Sequence, residues 1–166
     1  KPTRYLMLFW SPVYINELLG TGTATSGFLG SLFDLAGPLG SLTGGLISDR
    51  LFKSKRVPVC VIALFVLALL MVTFRFLPAT RLAVGAGMFA IGFLVFIPDT
   101  LISGAAAMDF GTKKGASTAS GIINGFGSIG QIIGVTLPGW ADKLIGQGHD
   151  IWNPIFLWLG VALALA

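Results

Sequence analysis

Between Gly44 and Arg56 the chain reads Gly-Gly-Leu-Ile-Ser-Asp-Arg-Leu-Phe-Lys-Ser-Lys-Arg, a short basic turn between two long apolar runs. The runs on either side, roughly residues 24–47 and 57–74, each approach the length of about 20 apolar residues that a helix needs to cross a hydrocarbon core. A basic turn between two such runs predicts a membrane protein, with the turn at one membrane face.

The composition supports a chain that is embedded in the membrane throughout. Of its 166 residues, 54% are apolar and 11% are charged, whereas about a quarter of the residues of a soluble domain are charged. The basic residues behind the formal net charge of +4 lie mainly in short loops, with no basic stripe and no nucleic-acid-binding motif. We therefore expect the lipid bilayer as a partner and do not expect nucleic acid.

Residues that carry chemistry in enzymes are sparse. Cys60 is the only cysteine and lies inside an apolar run, so there is no disulfide framework and no cysteine-based metal site. His149, the only histidine, lies in a loop beside Asp150 and is expected to be solvated. No serine, histidine and acid set and no phosphate-cradling glycine loop is present. We expect a protein that is not an enzyme and binds no cofactor or metal.

The apolar runs predict an all-α membrane protein with six crossings. We expect the first and last crossings to be incomplete, which predicts a piece of a larger protein. The predicted spans cover residues 1–15, 24–47, 57–77, 83–108, 116–140 and 152–166.

The loops differ in charge between the two membrane faces. Alternate crossings place residues 51–56 and 111–115 on one face, and residues 16–25, 75–81 and 143–151 on the other. The first face carries Arg50, Lys53, Lys55, Arg56, Lys113 and Lys114, against Arg75, Arg81 and Lys143. Because lysine and arginine in short loops favour the cytoplasmic side, the first face and both chain ends are predicted to be cytoplasmic.

Small residues recur every four positions in two of the predicted spans. They are Gly37, Ser41 and Gly45 in the second span, and Ser117, Gly121 and Gly125, followed by Gly130 and Gly134, in the fifth. Small residues at this spacing let helix backbones approach closely in lipid. We expect both helices to pack tightly against neighbours along these positions.

Two basic residues lie within the first predicted span. Lys1 and Arg4, three positions apart, share one helix face. Charged side chains in a span usually face the bundle interior or a wet cavity and mark a substrate or ion pathway. A guanidinium fork matches phosphate or carboxylate oxygens, and lysine adds a point charge. The pair is a candidate anion clamp. The alternative, that both side chains reach the headgroups from a helix end, stays open.

Two carboxylates, Asp34 and Asp99, lie deep in predicted spans. Neither has a basic residue within four positions on its own helix, so any partner must come from elsewhere in the bundle or from a half that is absent. A buried carboxylate without a partner tends to take up a proton. For Asp34 we expect a structural ion pair. For Asp99 an ion pair and a proton-coupling role both stay open.

Polar side chains also follow one face of the fifth predicted span. Asn124, Ser128 and Gln131 recur at intervals of three and four residues. They can line a cavity, join helices by hydrogen bonds, or do both. We count Asn124 and Ser128 with Lys1 and Arg4 as candidate substrate-binding residues.

The motifs resemble a known family. The turn with Gly45, Asp49, Arg50, Lys53 and Arg56 resembles the signature loop of the major facilitator superfamily: glycine, three residues, aspartate, arginine and a basic cluster. Other motifs, in order along nearly the whole chain, resemble the organophosphate:phosphate antiporters, which include bacterial glycerol-3-phosphate and hexose-phosphate transporters. These motifs are Arg4-Tyr5, Trp10-Ser11-Pro12, Phe33-Asp34-Leu35-Ala36-Gly37, Gly92-Phe93 through Pro98, Lys113-Lys114-Gly115 and Thr118-Ala119-Ser120-Gly121.

The resemblance implies that the chain is the C-terminal six-helix half of a twelve-helix bundle, with the N-terminal half as its partner. In that family an arginine of helix seven holds the substrate phosphoryl group, and Arg4 occupies the matching position. Asp34 falls where the family carries an acid of a salt-bridge network, and Asp49 and Arg50 would latch the halves near the cytoplasm. The implied activity is exchange of an organic phosphate for inorganic phosphate by alternating access in a bacterial inner membrane, in which only loaded carriers cross readily.

Departures from the family pattern leave the substrate open. Phe96 and Ser128 stand where glycerol-phosphate members carry tyrosines, and Phe9 stands where they carry an acid. Two other functions also stay open. One is a transporter-like membrane sensor of sugar phosphate, and the other is a proton-coupled carrier of another organic anion with Asp99 as the coupling acid.

Overall fold

The structure, a computed structural model, describes residues 1–106, 115–145 and 150–165. Within these residues the chain forms six α-helices, one short π-helix and no strand, which confirms the predicted all-α class. The elements are α1 (Pro2–Leu19), α2 (Thr23–Leu51), α3 (Arg56–Phe74), α4 (Arg81–Thr100), the π-helix (Leu101–Ala106), α5 (Ala116–Ile145) and α6 (Trp152–Leu165). Lys113, Lys114 and His149 lie outside the described residues.

Local chemistry at two positions sets the ends of helices. α1 ends at Gly20, which adopts a left-handed conformation (φ 59°, ψ 27°) and donates its N–H to the Asn16 carbonyl oxygen at 2.9 Å. Glycine takes this conformation without a Cβ clash. α4 begins after Thr80, whose hydroxyl oxygen accepts a hydrogen bond from the Ala83 N–H at 3.3 Å. α1 is therefore longer than predicted, because the first backbone reversal comes at Gly20 rather than at polar Asn16.

Most of the basic signature motif is helical, which corrects its prediction as a loop. Gly45, Asp49 and Arg50 lie in the last two turns of α2. Lys53 lies in the following turn, and Arg56 is the first residue of α3. The helix continues through the motif because a single glycine costs only about 1 kcal/mol in a helix, which neighbouring residues offset.

The turn after α2 is closed by Ser54 and Asp49. Lys53 and Ser54 have positive φ angles of 50° and 62°, which reverse the chain between α2 and α3. The Ser54 N–H donates to the Ser48 carbonyl oxygen at 2.9 Å, and its hydroxyl donates to Asp49 Oδ1 at 3.2 Å. Asp49 therefore stabilises the turn from the helix that precedes it.

A hydrophobic core joins α1, α2, α3, α4 and α6. Its most deeply buried side chains are Leu6, Met7, Ile15, Phe33, Leu67, Met71, Met88, Ile91 and Phe156. The Tyr14 ring packs edge-on against Phe156, with centroids 5.1 Å apart, and against Trp152 at 5.3 Å. Edge-to-face aromatic pairs have a preferred geometry, so these contacts set how α1 lies against α6.

Helices α2 and α4 form the most extensive helix interface in the described part of the chain, and glycines line it. A Cβ atom added to Gly40 would overlap the Phe93 carbonyl, and one added to Gly92 would overlap the Phe33 carbonyl. The two backbones therefore touch at reciprocal positions. Such an approach leaves no room for a side chain at either glycine.

The sequence predicted that Gly37, Ser41 and Gly45 form the seam of small residues along which α2 packs closely against a neighbour. This prediction is only partly correct. Gly37 lies in the interface, and the Ser41 hydroxyl contacts that of Thr100 on α4 at 2.7 Å. Gly45 has no neighbour within 4 Å of an added Cβ, whereas Gly44 faces α4. Positions four apart drift around a helix with 3.6 residues per turn. The seam therefore alternates between steps of three and four.

The close contact on α5 is shifted in the same way. The glycines that face α1 are Gly127, Gly130 and Gly134. Of the predicted positions, Gly130 and Gly134 are correct, whereas Gly121 and Gly125 have open space beside them. α5 packs chiefly against α1, and most of its surface is exposed.

The helices have the length and surface of an integral membrane protein. Arg56–Phe74, Arg81–Gly104 and Ala116–Leu144 are the described segments that are long and apolar enough to cross a membrane. The crossing of α2 stays a prediction, because Asp34 and many small residues interrupt its apolar run. Large apolar side chains such as Phe65 are exposed, a surface that is stable in lipid or against another apolar surface.

Replacing Gly40 with alanine is expected to lower the melting temperature of the detergent-solubilised full-length protein. The new methyl group would overlap the Phe93 carbonyl, and overpacking of this kind costs about 1–3 kcal/mol. Gly45→Ala is the matched control, because its methyl group meets open space. Differential scanning fluorimetry measures both variants, and equal melting temperatures would contradict the close contact.

Candidate substrate-binding site

An ion pair between α1 and α4 forms the centre of the site. Arg4 Nη1 donates a hydrogen bond to Asp99 Oδ2, and the two side chains are 28% and 13% exposed. Sequence reasoning singled out both residues but expected the Asp99 partner only somewhere else in the bundle or in an absent half. The structure places that partner on α1 of the same chain.

An aromatic ring supports the guanidinium group of Arg4. Arg4 Cζ lies 4.1 Å from the centroid of the Phe96 ring and 5.8 Å from that of Tyr5. Phe96 precedes Asp99 by three positions, so both side chains lie on one face of α4. The Phe96 ring packs in turn against Phe33, with centroids 5.8 Å apart. A cation over an aromatic face is stabilised by about 0.5–2 kcal/mol.

Phe96 is a site residue that sequence reasoning missed. It was noted only as a departure from the family's tyrosine. Its spacing from Asp99 was the available signal, since an aromatic ring three positions from a buried acid can reach the same cation. Which cation the ring contacts depends on how α1 packs against α4. The sequence around Phe96 does not determine this packing.

Lys1 and Asn124 meet between α1 and α5. Lys1 Nζ donates a hydrogen bond to Asn124 Oδ1, and the Lys1 side chain runs over Gly127. Asn124 Nδ2 lies 3.4 Å from the Ser120 hydroxyl oxygen. The predicted polar stripe of α5 therefore joins two helices at Asn124. Lys1 and Arg4 lie on the same side of α1, as predicted from their spacing.

Ser128 makes no contact with Lys1 or Arg4 among the hydrogen bonds of the described residues. Its side chain is exposed, and its hydroxyl donates to the Asn124 carbonyl oxygen of its own helix at 3.0 Å. That is the usual behaviour of a serine inside a helix. A substrate role for Ser128 stays a prediction.

A cavity of about 440 Å³ opens beside the ion pair. Lys1, Arg4 and Asp99 contribute its charged groups. Apolar surface from α3, α5 and α6 forms much of the remaining wall, which includes Phe126 and Leu159. Ligand pockets usually measure about 300–1,000 Å³ and combine an apolar lining with a few polar groups. Two cations and one anion make this cavity suitable for an anionic ligand.

The backbone is irregular where Asp99 is attached. The π-helix begins two residues later, and Pro98 supplies no amide donor to the helix. The Ser103 hydroxyl donates to the Asp99 carbonyl oxygen, while the Ser120 hydroxyl donates to the Ser103 carbonyl oxygen at 2.9 Å. The second bond joins α5 to the π-helix. Such π-helical segments are frequent at functional sites.

Asp34 lies on the exposed face of α2. Within the described residues Asp34 makes no ion pair. The observed ion pair is that of Asp99, for which an ion pair was one of the two open expectations. A salt-bridge role for Asp34 stays a prediction.

Hydrogen bonds from two tryptophans join the rest of α1 to neighbouring helices. Trp10 Nε1 donates to the Val135 carbonyl oxygen at 2.9 Å, and Trp152 Nε1 donates to Glu17 Oε2 at 2.6 Å. The first bond joins α1 to α5, and the second joins it to α6. Sequence reasoning missed Glu17, because a glutamate at a helix end is ordinarily solvated.

The residues of the basic motif, at the end of α2 and the start of α3, do not line the Arg4 cavity.

The fold and the site together define an integral membrane protein built around a cationic cavity between its helices. The family profile of the Major Facilitator Superfamily matches residues 3–135. The chain therefore belongs to the major facilitator superfamily, as its basic motif indicated.

Relatives narrow this assignment. The glycerol-3-phosphate transporter of Bacillus subtilis is 36% identical over 98% of this chain. The glucose-6-phosphate exchangers SLC37A2 of Mus musculus and SLC37A1 of Homo sapiens are 34% and 35% identical over 100% of it. The matches cover 36%, 33% and 31% of those proteins, so the chain spans about a third of their length. No solved structure matches the chain.

These names agree with the resemblance to the organophosphate:phosphate antiporters that the sequence motifs indicated. The family and its transporter-named members also point to a transporter rather than an enzyme.

A double-mutant cycle should reveal direct coupling between Arg4 and Asp99. Arg4→Ala and Asp99→Ala are each expected to lower the melting temperature of the full-length protein, because each leaves a charge without its partner. The double variant should lose less than the sum, with a coupling energy of about 0.5–3 kcal/mol for groups in contact. Arg4→Ala combined with Asp142→Ala is the control cycle. Asp142 lines a separate cavity near the other end of α1, so additive losses are expected there.

Proposed function

We propose that the protein is a secondary active transporter that exchanges an organic phosphate, a sugar phosphate or glycerol phosphate, for inorganic phosphate. The observation that carries the proposal is that Arg4 of α1, which is held by Asp99 and Phe96, lies at the wall of a cavity that contains two cations and one anion. Charged groups in such positions mark substrate pathways. Relatives named for glycerol-3-phosphate and glucose-6-phosphate support the substrate class.

The proposal assigns a role to each polar residue that the sequence predicted for the site. Arg4 binds the phosphoryl group through its planar fork of donors, which matches phosphate oxygens. Lys1 supplies a second positive charge, and Asn124 and Ser128 supply hydrogen bonds from α5. Asp34 and Asp99 balance these charges as the carrier changes state.

The site is completed by a second six-helix half in this proposal. Alternating access then follows when the two halves rock about the cavity between them, which opens it to one side at a time. The exposed faces of α2 and α5 are available to that half. The protein lies in a bacterial inner membrane, with both ends of the 166-residue chain in the cytoplasm. A latch between the two halves at the cytoplasmic face is formed by Gly45, Asp49, Arg50, Lys53 and Arg56.

Phosphate exchange by the reconstituted full-length protein tests this function. Liposomes preloaded with phosphate should take up labelled phosphate, and Arg4→Ala should reduce uptake about 10- to 150-fold, since hydrogen bonds to a charged group contribute about 1.5–3 kcal/mol. Arg81→Ala is the control, because Arg81 is an exposed residue at the start of α4 and should leave exchange intact.

The results also separate the alternatives. Absence of exchange in the unmodified protein, with sugar phosphate still bound in detergent, would favour the sensor. Uptake of a phosphate-free organic anion that depends on a pH gradient would favour the proton-coupled carrier. Exchange that survives Arg4→Ala would remove Arg4 from the substrate site.

Cysteine labelling tests the proposed orientation. Lys55→Cys and Ala79→Cys, both at exposed turn positions, are introduced into a full-length protein without other cysteines. A membrane-impermeant maleimide added to intact cells should label position 79 and should label position 55 only after the cells are permeabilised. The reverse pattern would overturn the charge-based orientation.

A further inference from the structure

A second cavity, of about 540 Å³, lies near the C-terminal end of α1. Its wall comes from α1, α5, the start of α6 and the residue after α3, and it carries three carboxylates against one guanidinium group. It shares no described lining residue with the Arg4 cavity. We propose that this second cavity binds a ligand that carries an ammonium group, the protonated form of a primary amine. The proposal does not depend on which substrate the protein transports.

The second cavity lies at the membrane face opposite the basic motif. α3 begins beside that motif at Arg56 and is long and apolar enough to cross a membrane. Arg75, the residue that follows α3, lines the cavity. Glu17 and Asp142 lie in the last turns of α1 and α5. A ligand can therefore reach the cavity from the water or from the lipid headgroups on that face.

The carboxylates at this wall are not neutralised by Arg75. The ion pair among the described residues is that of Arg4 and Asp99, so Arg75 pairs with no carboxylate of the second cavity there. Two of those carboxylates accept hydrogen bonds from α6. Glu17 Oε2 accepts from Trp152 Nε1 at 2.6 Å, and Asp150 Oδ1 accepts from the Trp152 N–H at 2.9 Å.

Asp142 is the third carboxylate of the cavity. It makes neither a hydrogen bond nor an ion pair in the part of the chain that the structure describes. A carboxylate that is partly shielded from water is favourable only with a donor or a positive charge beside it. Asp142 is therefore the carboxylate available to a cationic ligand.

The Tyr14 hydroxyl also points to a ligand. Tyr14 is 8% exposed and lines the cavity, yet its hydroxyl has no hydrogen-bond partner among the described residues. In those residues the fully enclosed side-chain atom without a partner is Ser48 Oγ, so the Tyr14 hydroxyl keeps open space beside it. The Tyr14 ring packs against Phe74, Trp152 and Phe156, which leaves the cavity as that space. A buried hydroxyl normally has a partner, and a ligand in the cavity can supply it.

An ammonium group fits these partners better than a metal ion does. No group of three histidine, cysteine, aspartate or glutamate side chains in the described ranges is placed to hold a metal ion. An ammonium group donates three hydrogen bonds and accepts none, and both Asp142 and the Tyr14 hydroxyl can accept. The aromatic rings of Tyr14 and Trp152 at the wall also attract cations. A cavity of this volume accommodates a small organic molecule.

The ammonium group can belong to a soluble amine or to a phospholipid headgroup, since both are present at a membrane face. Ethanolamine represents the first source, and phosphatidylethanolamine represents the second. Choline and phosphatidylcholine are the matched controls, because their quaternary nitrogen keeps the positive charge but has no N–H donor. The comparison therefore isolates the hydrogen bonds that the cavity is proposed to accept.

The soluble arm measures the melting temperature of the detergent-solubilised full-length protein as ethanolamine or choline is added at constant ionic strength. A ligand that binds the folded state raises this temperature in proportion to its affinity. Ethanolamine should bind at least about 10-fold more tightly than choline, because hydrogen bonds to a charged group are lost with choline.

Three variants locate the binding. Asp142→Asn should weaken ethanolamine binding about 10- to 150-fold, and Tyr14→Phe, which keeps the ring, should weaken it about 10-fold. Asp49→Asn removes a carboxylate from the turn after α2, at the other membrane face. It is the matched control and should leave ethanolamine binding unchanged.

The lipid arm uses native mass spectrometry of the delipidated full-length protein. Phosphatidylethanolamine and phosphatidylcholine with equal acyl chains are added in equal amounts, and the bound fractions are compared. The unmodified protein should retain phosphatidylethanolamine in preference. Asp142→Asn and Tyr14→Phe should reduce the preference, and Asp49→Asn should keep it.

Each outcome supports or overturns the site. A preference for the ethanolamine group that Asp142→Asn removes would support it, and the arm that shows the preference identifies the soluble or the lipid source. Equal binding of the ethanolamine and choline forms in both arms would overturn it, as would a preference that Asp142→Asn leaves unchanged. If Asp142→Asn fails to fold, as judged by size-exclusion chromatography, Tyr14→Phe supplies the deciding comparison. Neither arm measures phosphate exchange, so a failure of the proposed function would leave this inference standing.

Discussion

The backbone contact between α2 and α4 positions the aromatic ring and the carboxylate that hold Arg4. In lipid no hydrophobic effect draws apolar helices together, so their separation depends on packing. Gly40 and Gly92 allow each helix to touch a carbonyl group of the other. Phe33 of α2 can then support the Phe96 ring of α4, and that ring in turn supports the guanidinium group of Arg4.

The same constraint connects the structure to the proposed transport. A positive charge inside a membrane protein is unfavourable unless it has a counter-charge or faces a water-filled cavity. In this structure the counter-charge of Arg4 is Asp99. The hydrogen bonds of Trp10 and Glu17 hold α1 beside α5 and α6, which fixes the helix that carries Arg4. Arg4 is therefore held at the cavity wall, where the proposed function requires a cation for the phosphoryl group.

Sequence reasoning was most accurate where a strong local signal decided the outcome. Long apolar runs predicted the helices, and the basic motif indicated the family. Sequence reasoning was less accurate about where helices end and which helix positions face a neighbouring helix. The motif continues α2 because helix ends depend on where a backbone reversal is possible, and here that place is Lys53 and Ser54. The glycine seam includes Gly44 rather than Gly45, because a helix turns by 3.6 residues rather than four.

The sequence by itself determined that this chain lies in a membrane, folds into helices and belongs to a transporter superfamily, because composition and apolar run length act locally along the chain. It also marked Arg4 and Asp99 as unusual, since each places a charge within an apolar run. Only the tertiary structure decided that these two charges face each other and that Phe96 lies beneath Arg4. The two charged residues are 95 positions apart, and their meeting depends on how side chains pack between α1, α2 and α4, which no local pattern encodes.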